Sequence, residues 1–300
     1  MRAVRLAFRV GGALLPRLAA RVAERLFTTP RRTGRPLSAP ARELAARAAP
    51  LEVEHEGRVL RGLAWGEGPV VLLVHGWEAR WSSMAALVAP LVERGFRVVA
   101  FDSPAHGASA GRSTDAVDCG RALATIARCV GPIHAVVAHS FGGAAVLFML
   151  AGRCVYPWEA PPVSRVALIA SPSDVRDVVA EFVRMVGLPG RAALAFRARV
   201  QRRVGLPESA CSLSEAAGEL RIPFLVVHDR GDASIPFSCA EELVRAQPRA
   251  RLLATDGLGH NRILREPAVV EQVAAFVGER AGARGLESVS PCTATATAAT

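Results

Sequence analysis

Short apolar runs alternate with longer segments of helical periodicity along most of the chain. Six of the runs have the length and the β-branched content of buried strands, and they cover residues 70–74, 97–101, 133–138, 165–170, 222–228 and 250–254. Two earlier runs, 51–53 and 59–65, are separated by charged residues and Gly57, which predicts an antiparallel hairpin. Alternating strands and helices predict an α/β domain with a mostly parallel sheet.

The alternation stops at two places. Residues 173–218 are helical in pattern and rich in arginine. Before the hairpin, apolar residues repeat at helical spacing while arginines fall on the other side, and the apolar positions are Leu15, Leu18, Val22 and Leu26. This pattern predicts an amphipathic helix with a basic face.

We therefore divide the chain into four parts. They are a basic amphipathic extension and linker at 1–48, a core at 49–172 and 219–284, a helical insertion at 173–218 and a tail at 285–300. The tail is rich in alanine and threonine and lacks apolar bulk. We expect it to be disordered because it has too little apolar surface to bury.

The positive charge is concentrated in the extension. The 300 residues carry a net charge of +10, and lysine is absent, so all 37 basic residues are arginines. Residues 1–36 hold nine arginines and a single acidic residue, Glu24, and thus carry +8. The aromatic residues among these arginines are two, Phe8 and Phe27, which are too few for a base-stacking surface, and no recognised nucleic-acid motif is present. We expect no nucleic-acid partner.

The basic helix has two candidate roles. Packing against the core, or capping its pocket, is the simpler one, and peripheral contact with an anionic membrane surface is the alternative. Arg2, Arg5 and Arg9 interrupt the apolar residues, which argues against a secretory signal or a membrane span. The six cysteines show neither a C-x-x-C pair nor metal-type spacing, which favours a reducing compartment. We expect a cytoplasmic protein, with membrane-surface association as the alternative.

The strongest chemical signal lies at residues 133–152. An apolar strand ends at Ser140, and a longer alanine-rich apolar segment follows. Ala138 and Gly142 are small enough for a tight strand-to-helix turn. The pattern Ala-His-Ser-Phe-Gly resembles the G-x-S-x-G nucleophile elbow of the α/β-hydrolase superfamily, with alanine for the first glycine. The resemblance implies that Ser140 is a nucleophile and that the backbone N–H of Phe141 holds a developing oxyanion.

Other loops resemble the same superfamily, in the same chain order. A His-Gly pair followed by Trp77 ends one predicted strand, and the resemblance implies that the Trp77 N–H is the second oxyanion donor. The D-x-P-x-H-G-x-S loop at 102–109 is structural in that superfamily. Asp232 follows a later strand in the setting of the triad acid, with Asp229 as its rival. His260 occupies the late glycine-flanked loop of the general base.

The resemblance implies a fold and an activity. The fold is an eight-stranded, mostly parallel α/β-hydrolase sheet with helices on both faces and a short helical cap. The activity is a serine hydrolase that cleaves a carboxylic ester or related acyl bond through a triad and an acyl-enzyme, with no metal or cofactor. Trp81 and Met149 are candidate pocket walls for a small-molecule acyl substrate. The alternatives are an acyltransferase or thioesterase on the same triad, and a non-catalytic binding protein of this fold. The oligomeric state is open.

Overall fold

The computed structural model describes residues 2–32, 34–152, 159–206 and 208–279, and its centre is one eight-stranded sheet. The strands are β1 (Ala49–His55), β2 (Arg58–Trp65), β3 (Val70–Val74), β4 (Arg97–Phe101), β5 (Ile133–His139), β6 (Val163–Ile169), β7 (Phe224–Asp229) and β8 (Ala250–Thr255). Their order across the sheet is β1-β2-β4-β3-β5-β6-β7-β8. β1 and β2 form the predicted antiparallel hairpin, β2 is antiparallel to β4, and all other neighbouring strands are parallel.

Helices cover the sheet. In the described ranges they are α1 (Arg2–Leu14), α2 (Pro16–Thr28), α3 (Ala39–Ala46), α4 (Val88–Glu93), α5 (Ala116–Val130), α6 (Phe141–Ala151), α7 (Val175–Val186), α8 (Gly190–Val204), α9 (Leu213–Glu219), α10 (Ser238–Ala246), α11 (Gly259–Arg262) and α12 (Pro267–Gly278). Two 3-10 helices, Trp81–Leu87 and Glu208–Cys211, complete the set. No helix among these is long and apolar enough to cross a bilayer.

Successive side chains of the central strands enter two different cores. Leu72 and Val136 belong to a core that includes residues of α5, α6 and α10. Val71 and Val137, their neighbours along the strands, belong to a core that includes residues of α4 and α12. Strands that are covered on both faces bury both sets of alternating side chains. The expected fold, a mostly parallel sheet with helices on both faces, is confirmed.

A third core joins the N-terminal helices to the inserted helices. Phe8 of α1 and Ala20 of α2 are buried together with residues of α7 and α8. Phe196 of α8 is fully buried there, and its ring centroid lies 5.6 Å from that of Phe27 and 5.3 Å from that of Phe182. The two segments that the sequence analysis separates therefore share one hydrophobic core.

Some local predictions differ from the structure. The sequence pattern does not predict α1, because its arginines interrupt the apolar run, and it assigns the start of α3 to a proline-rich linker. In α3 the Ser38 side chain accepts the Ala41 N–H, and Pro40 lies in the first turn, where a missing N–H does no harm. Residues 81–93 form a 3-10 helix followed directly by α4. Cys119 and Cys239 are free thiols, and Cys154 and the tail at 285–300, with Cys292, lie outside the described residues.

Candidate active site

Ser140 occupies a strained turn between β5 and α6. Its backbone has φ +53° and ψ −124°, a conformation that non-glycine residues rarely adopt. The Ser140 N–H donates to the Ile169 carbonyl of the neighbouring strand at 2.9 Å. A Cβ at Gly142 would lie 2.6 Å from the His75 carbonyl oxygen, and one at Gly143 would lie 2.2 Å from the Ser171 hydroxyl. Glycine is therefore required at both positions for α6 to approach its neighbours so closely.

The structure brings Ser140, His260 and Asp232 together in one chain of hydrogen bonds. His260 Nε2 lies 3.0 Å from Ser140 Oγ, and His260 Nδ1 lies 2.8 Å from Asp232 Oδ2. The carboxylate requires a proton on Nδ1, which leaves Nε2 as an acceptor for the serine hydroxyl. The residues come from loops after β5, β7 and β8, and these loops meet because parallel strands end at the same edge of a sheet.

Asp232 is held as a buried carboxylate. Its side chain is fully buried, and Oδ1 accepts the backbone N–H groups of Ser234 and Ile235 at 2.7 Å and 3.0 Å. Burial opposes the negative charge, but hydrogen bonds from His260 and these two amides outweigh burial and hold the pKa of Asp232 below its ordinary value. The carboxylate therefore stays ionised beside the imidazole.

Asp229, the rival acid, has different partners. Its Oδ2 accepts the Thr255 hydroxyl at 2.8 Å and the Leu258 N–H at 2.9 Å, and its Oδ1 accepts the Gly231 N–H at 3.0 Å. These bonds tie the loop after β7 to the end of β8. Asp229 thus orders the loop in front of His260, whereas Asp232 bonds the imidazole itself.

Two backbone amides are available beside the serine. Among the described residues, the N–H groups of Trp77 and Phe141 donate to no acceptor. The two side chains are in edge-to-face contact, with ring centroids 5.0 Å apart. A Cβ at Gly76 would lie 3.2 Å from Ser140 Cβ, so the loop after β3 runs directly beside the elbow. Free donors at a helix N-terminus and in a neighbouring loop suit a developing negative charge.

Three buried histidines surround these groups. His75 donates from Nδ1 to the Gly76 carbonyl at 2.8 Å and accepts the Ser103 N–H at Nε2 at 2.9 Å, and burial lowers its pKa. Burial and neighbouring His75 lower the pKa of His106 to about 4. The ring of His106 lies 5.1 Å from that of Trp77. Both histidines are therefore neutral at neutral pH and serve as polar supports of the loops.

His139 contacts His260, and no sequence motif assigns this contact. Its Nε2 donates to the His260 carbonyl oxygen at 2.9 Å, and the two ring centroids lie 4.8 Å apart. Burial and the neighbouring His260 lower the pKa of His139 to about 4. A neutral imidazole thus packs against His260. The only sequence signal was its place directly before Ser140 in the elbow.

The loop at 102–109 is held by its own polar groups. Asp102 Oδ1 accepts the Trp81 N–H at 2.8 Å, and Oδ2 accepts the Ala108 N–H at 2.8 Å. The Ser109 hydroxyl donates to the Asp102 carbonyl at 2.5 Å. Asp102 therefore orders the loop, as the resemblance implied for this segment.

Arg31 and Arg32, which follow α2, form hydrogen bonds with the loops after β3 and β4 at the carboxyl edge of the sheet. The sequence pattern assigns both arginines to a linker. Arg31 forms a forked ion pair with Glu78, whose Oε2 lies 2.8 Å from Nη2. Arg32 donates from Nη2 to the carbonyl oxygens of Ser109 and Gly111 at 2.6 Å and 2.9 Å. No motif identifies these contacts, because they join residues far apart in the sequence.

The two expected pocket residues, Trp81 and Met149, are buried in the layers that cover the sheet. Trp81 is 8% exposed and packs in the core that includes α4 and α12, with its ring centroid 5.5 Å from that of Trp65 and the two rings tilted by 45°. Met149 is fully buried in the core on the opposite face, which includes α5. Their side chains stabilise the two layers. Trp77 and Phe141, half-buried at the serine, are the apolar groups nearest to the reactive atoms.

One cluster has metal-ligating side chains. His55, Glu56 and Asp118 present atoms within 4.8 Å of one another. Arg58 already forms a forked ion pair with Asp118, at 2.6 Å and 2.9 Å, and hydrogen bonds from Arg58 and Thr114 help to lower the pKa of Asp118 against its burial. A guanidinium that occupies the carboxylate disfavours a cation there.

The fold and the site agree with a family match. The model of the alpha/beta hydrolase family matches residues 71–273, and the chain belongs to this family. A search among curated proteins finds no sequence match to this chain.

Solved structures share the fold at low sequence identity. An esterase from Exiguobacterium antarcticum is 16% identical, with 77% of this chain and 100% of that chain covered and a TM-score of 0.58. An enol-lactonase from Burkholderia xenovorans LB400 is 18% identical, with 76% and 100% covered and a TM-score of 0.57. A membrane phospholipase A described as a bacterial virulence factor is 21% identical, with 90% and 97% covered and a TM-score of 0.59.

Proposed function

We propose that this chain is a serine hydrolase that cleaves a carboxylic ester or related acyl bond. One observation carries the proposal: Ser140 Oγ, His260 and the buried Asp232 carboxylate are joined by hydrogen bonds of 3.0 Å and 2.8 Å. A serine hydroxyl is too weakly acidic to attack a carbonyl at neutral pH without such a base.

The first half of the reaction forms an acyl-enzyme. Ser140 Oγ bonds to the carbonyl carbon while its proton passes to His260 Nε2, and Asp232 stabilises the imidazolium. The carbonyl oxygen becomes an oxyanion that accepts the N–H groups of Trp77 and Phe141, each such donor contributing about 3 kcal/mol. The tetrahedral intermediate then collapses, the bond to the leaving oxygen breaks, and the leaving alcohol takes the proton from His260.

The second half restores the serine. Water attacks the acyl carbon and gives its proton to His260 Nε2, and a second oxyanion forms between the same two amides. When this intermediate collapses, the bond to Ser140 breaks, the serine recovers its proton from His260, and the carboxylic acid leaves. An alcohol or a thiol in place of water would give acyl transfer on the same residues.

Apolar groups beside the serine favour an acyl substrate. Trp77 and Phe141 flank the elbow, and the nearby imidazoles of His106 and His139 are neutral. Such a surface suits a carbon chain better than a phosphate or a sugar. The esterase and the enol-lactonase among the similar folds agree with this class by name.

A fluorophosphonate probe tests the proposal directly, because only an activated serine reacts with it. We expect the unmodified protein to be labelled, labelling to vanish in Ser140→Ala, and a panel of p-nitrophenyl esters from acetate to palmitate to be hydrolysed. Ser164→Ala, a half-buried serine on β6, is the matched control. Absence of labelling together with absence of turnover on oxygen and thiol esters would favour a non-catalytic binding protein.

A further inference from the structure

The N-terminal helices expose an unusual amount of apolar surface. In the described residues, twelve large hydrophobic side chains are exposed, and ten of them lie on or between α1, α2, α7 and α8. Eight of the ten are Val4, Leu6, Val10, Leu14, Leu15, Leu18, Val22 and Leu26. Single exposed hydrophobic residues are common on proteins, but a continuous group of this size marks an interaction surface.

On α1 the exposed side chains form one stripe. Leu6, Val10 and Leu14 are four residues apart and are 54–74% exposed, so they lie on the same side of the helix. Phe8 and Gly12, which face the third core, are buried. The helix therefore uses one face for folding and leaves a second apolar face uncovered.

On α2 the small residues are buried and the large ones are exposed. Ala20 and Ala23 are fully buried in the third core. Leu18, Val22 and Leu26 repeat every four residues and are 46–55% exposed. The sequence predicts these leucines and the valine as the apolar side of an amphipathic helix, but in the structure alanines supply the face that packs in the third core. Leu14 and Leu15, both exposed, lie where α1 ends and α2 begins.

Arginines border the apolar stripe. Arg17, Arg21 and Arg25 each precede one member of the α2 stripe. On α1, Arg5 and Arg9 likewise precede Leu6 and Val10, and Arg2 lies one turn before Leu6 in the same row as the stripe. All six are exposed, and none forms an ion pair with another described residue. Leucine and arginine side by side on an exposed helix are typical of helices that lie in a membrane interface.

We propose that α1 and α2 bind the surface of an anionic bilayer. The apolar stripe would enter the boundary between headgroups and acyl chains, and the six arginines would contact anionic headgroups. Each helix has 13 residues, a length of about 20 Å at the usual rise, which suits a position in the plane of the interface. Self-association through the same face would place six arginines of one copy against six of another, which repel.

The segment that carries the exposed apolar stripe is joined by hydrogen bonds to the loops around Ser140. α2 ends at Thr28, whose carbonyl accepts the Thr114 N–H at 2.8 Å. Arg31 and Arg32 follow and bond Glu78 and the loop at 105–111. Binding of α2 to a bilayer would therefore hold this edge of the sheet near the lipid surface.

Vesicle co-sedimentation tests the proposal with the full chain. We expect binding to vesicles of phosphatidylcholine mixed with phosphatidylglycerol, weaker binding to phosphatidylcholine alone, and loss of binding at high salt. Leu18→Glu with Val22→Glu should weaken binding by about tenfold or more, because two apolar contacts are replaced by charges that the lipid repels. Leu252→Glu, at a residue on β8 that is 39% exposed, is the control and should bind like the unmodified protein.

A charge series separates arginine contacts from overall charge. Replacing Arg17, Arg21 and Arg25 by glutamine should weaken binding to the anionic vesicles by about 100-fold, since each arginine near such a surface contributes about 1 kcal/mol. The control replaces Arg47, Arg221 and Arg265, three exposed arginines outside the N-terminal helices, by glutamine. It changes the net charge equally and should reduce binding far less.

Three results would overturn the proposal. The first is that the unmodified protein does not bind anionic vesicles. The second is that the test and control variants lose vesicle binding equally. The third is a dimer in light scattering that dissociates in Leu18→Glu with Val22→Glu, while vesicle binding is absent. Thermal unfolding of each variant verifies that the fold is retained. Ser140→Ala should bind vesicles like the unmodified protein, so failure of the proposed catalysis leaves this test intact.

Discussion

Arg31 and Glu78 connect the segment after α2 to the loop that carries Trp77. The guanidinium Nε lies 2.9 Å from Oε1 and Nη2 lies 2.8 Å from Oε2, while the Arg31 backbone N–H also donates to Oε1 at 3.1 Å. Glu78 has φ +55°, which non-glycine residues rarely adopt. Because Glu78 follows Trp77, the ion pair stabilises the turn that orients the Trp77 N–H.

We expect Arg31→Ala to lower kcat on an ester by about fivefold or less, with little change in KM, because an exposed ion pair contributes little on its own and the amide acts mainly in the transition state. Arg31 is 87% exposed at its side chain, so the melting temperature should hardly move. Arg35→Ala, at an exposed arginine of the same segment, is the control. An equal loss in both variants would argue against a role of the pair in positioning.

The two aspartates after β7 should respond differently to substitution. Asp232→Asn should lower kcat by about 10⁴-fold, because an amide holds His260 in the wrong tautomer. Asp229→Asn should mainly lower stability, since Asp229 bonds Gly231, Thr255 and Leu258. Steady-state kinetics and thermal unfolding of both variants distinguish the two roles. A larger kcat loss for Asp229→Asn would mean that Asp229 is the triad acid.

Gly142→Ala should destabilise the protein and remove activity. The new Cβ would lie 2.6 Å and 2.7 Å from the backbone oxygens of His75 and Val74, which cannot move without distorting β3. Overpacking of this kind costs about 1–3 kcal/mol or more. Gly190→Ala, at a helix position with no atom within 4 Å of the new Cβ, should leave both properties unchanged. Calorimetry and ester hydrolysis report the two effects, and a fully active Gly142→Ala protein would contradict the packing of the elbow.

Stability should fall as the pH decreases from about 6.5 towards 4. His139 and His106 have ordinary pKa values of 6.5 in the unfolded chain and pKa values of about 4 in the folded protein. Between these values the unfolded chain binds more protons than the folded one, so stability rises with pH across the window. Each histidine contributes on the order of 3 kcal/mol to this change.

Urea unfolding at a series of pH values measures this slope. In His106→Gln the slope between pH 6.5 and 4 should decrease, because glutamine does not titrate. His134→Gln is the control, since His134 is only partly buried and lies at the start of β5, away from the serine. An unchanged slope in His106→Gln would show that this histidine is not buried in its neutral form.

The strands and the elbow could be predicted because their signals are local. β3 and β4 begin and end at the predicted residues, since short β-branched runs between glycines and charged residues have few other ways to fold. The positions of Ser140, Asp232 and His260 follow from motifs that combine tight turns with chemical groups. Their distances do not, because residues 120 positions apart meet only when the sheet forms.

The sequence by itself determined an α/β chain with small residues around Ser140, and with a basic, apolar segment at its start. Only the tertiary structure decided which residues are buried in the cores: Trp81 and Met149 pack on opposite faces of the sheet, and α2 buries alanines while its leucines remain exposed. The physical reason is competition between neighbouring elements. Small side chains let α2 approach α8 closely, and the larger apolar side chains, excluded from that contact, are left for a partner outside the chain.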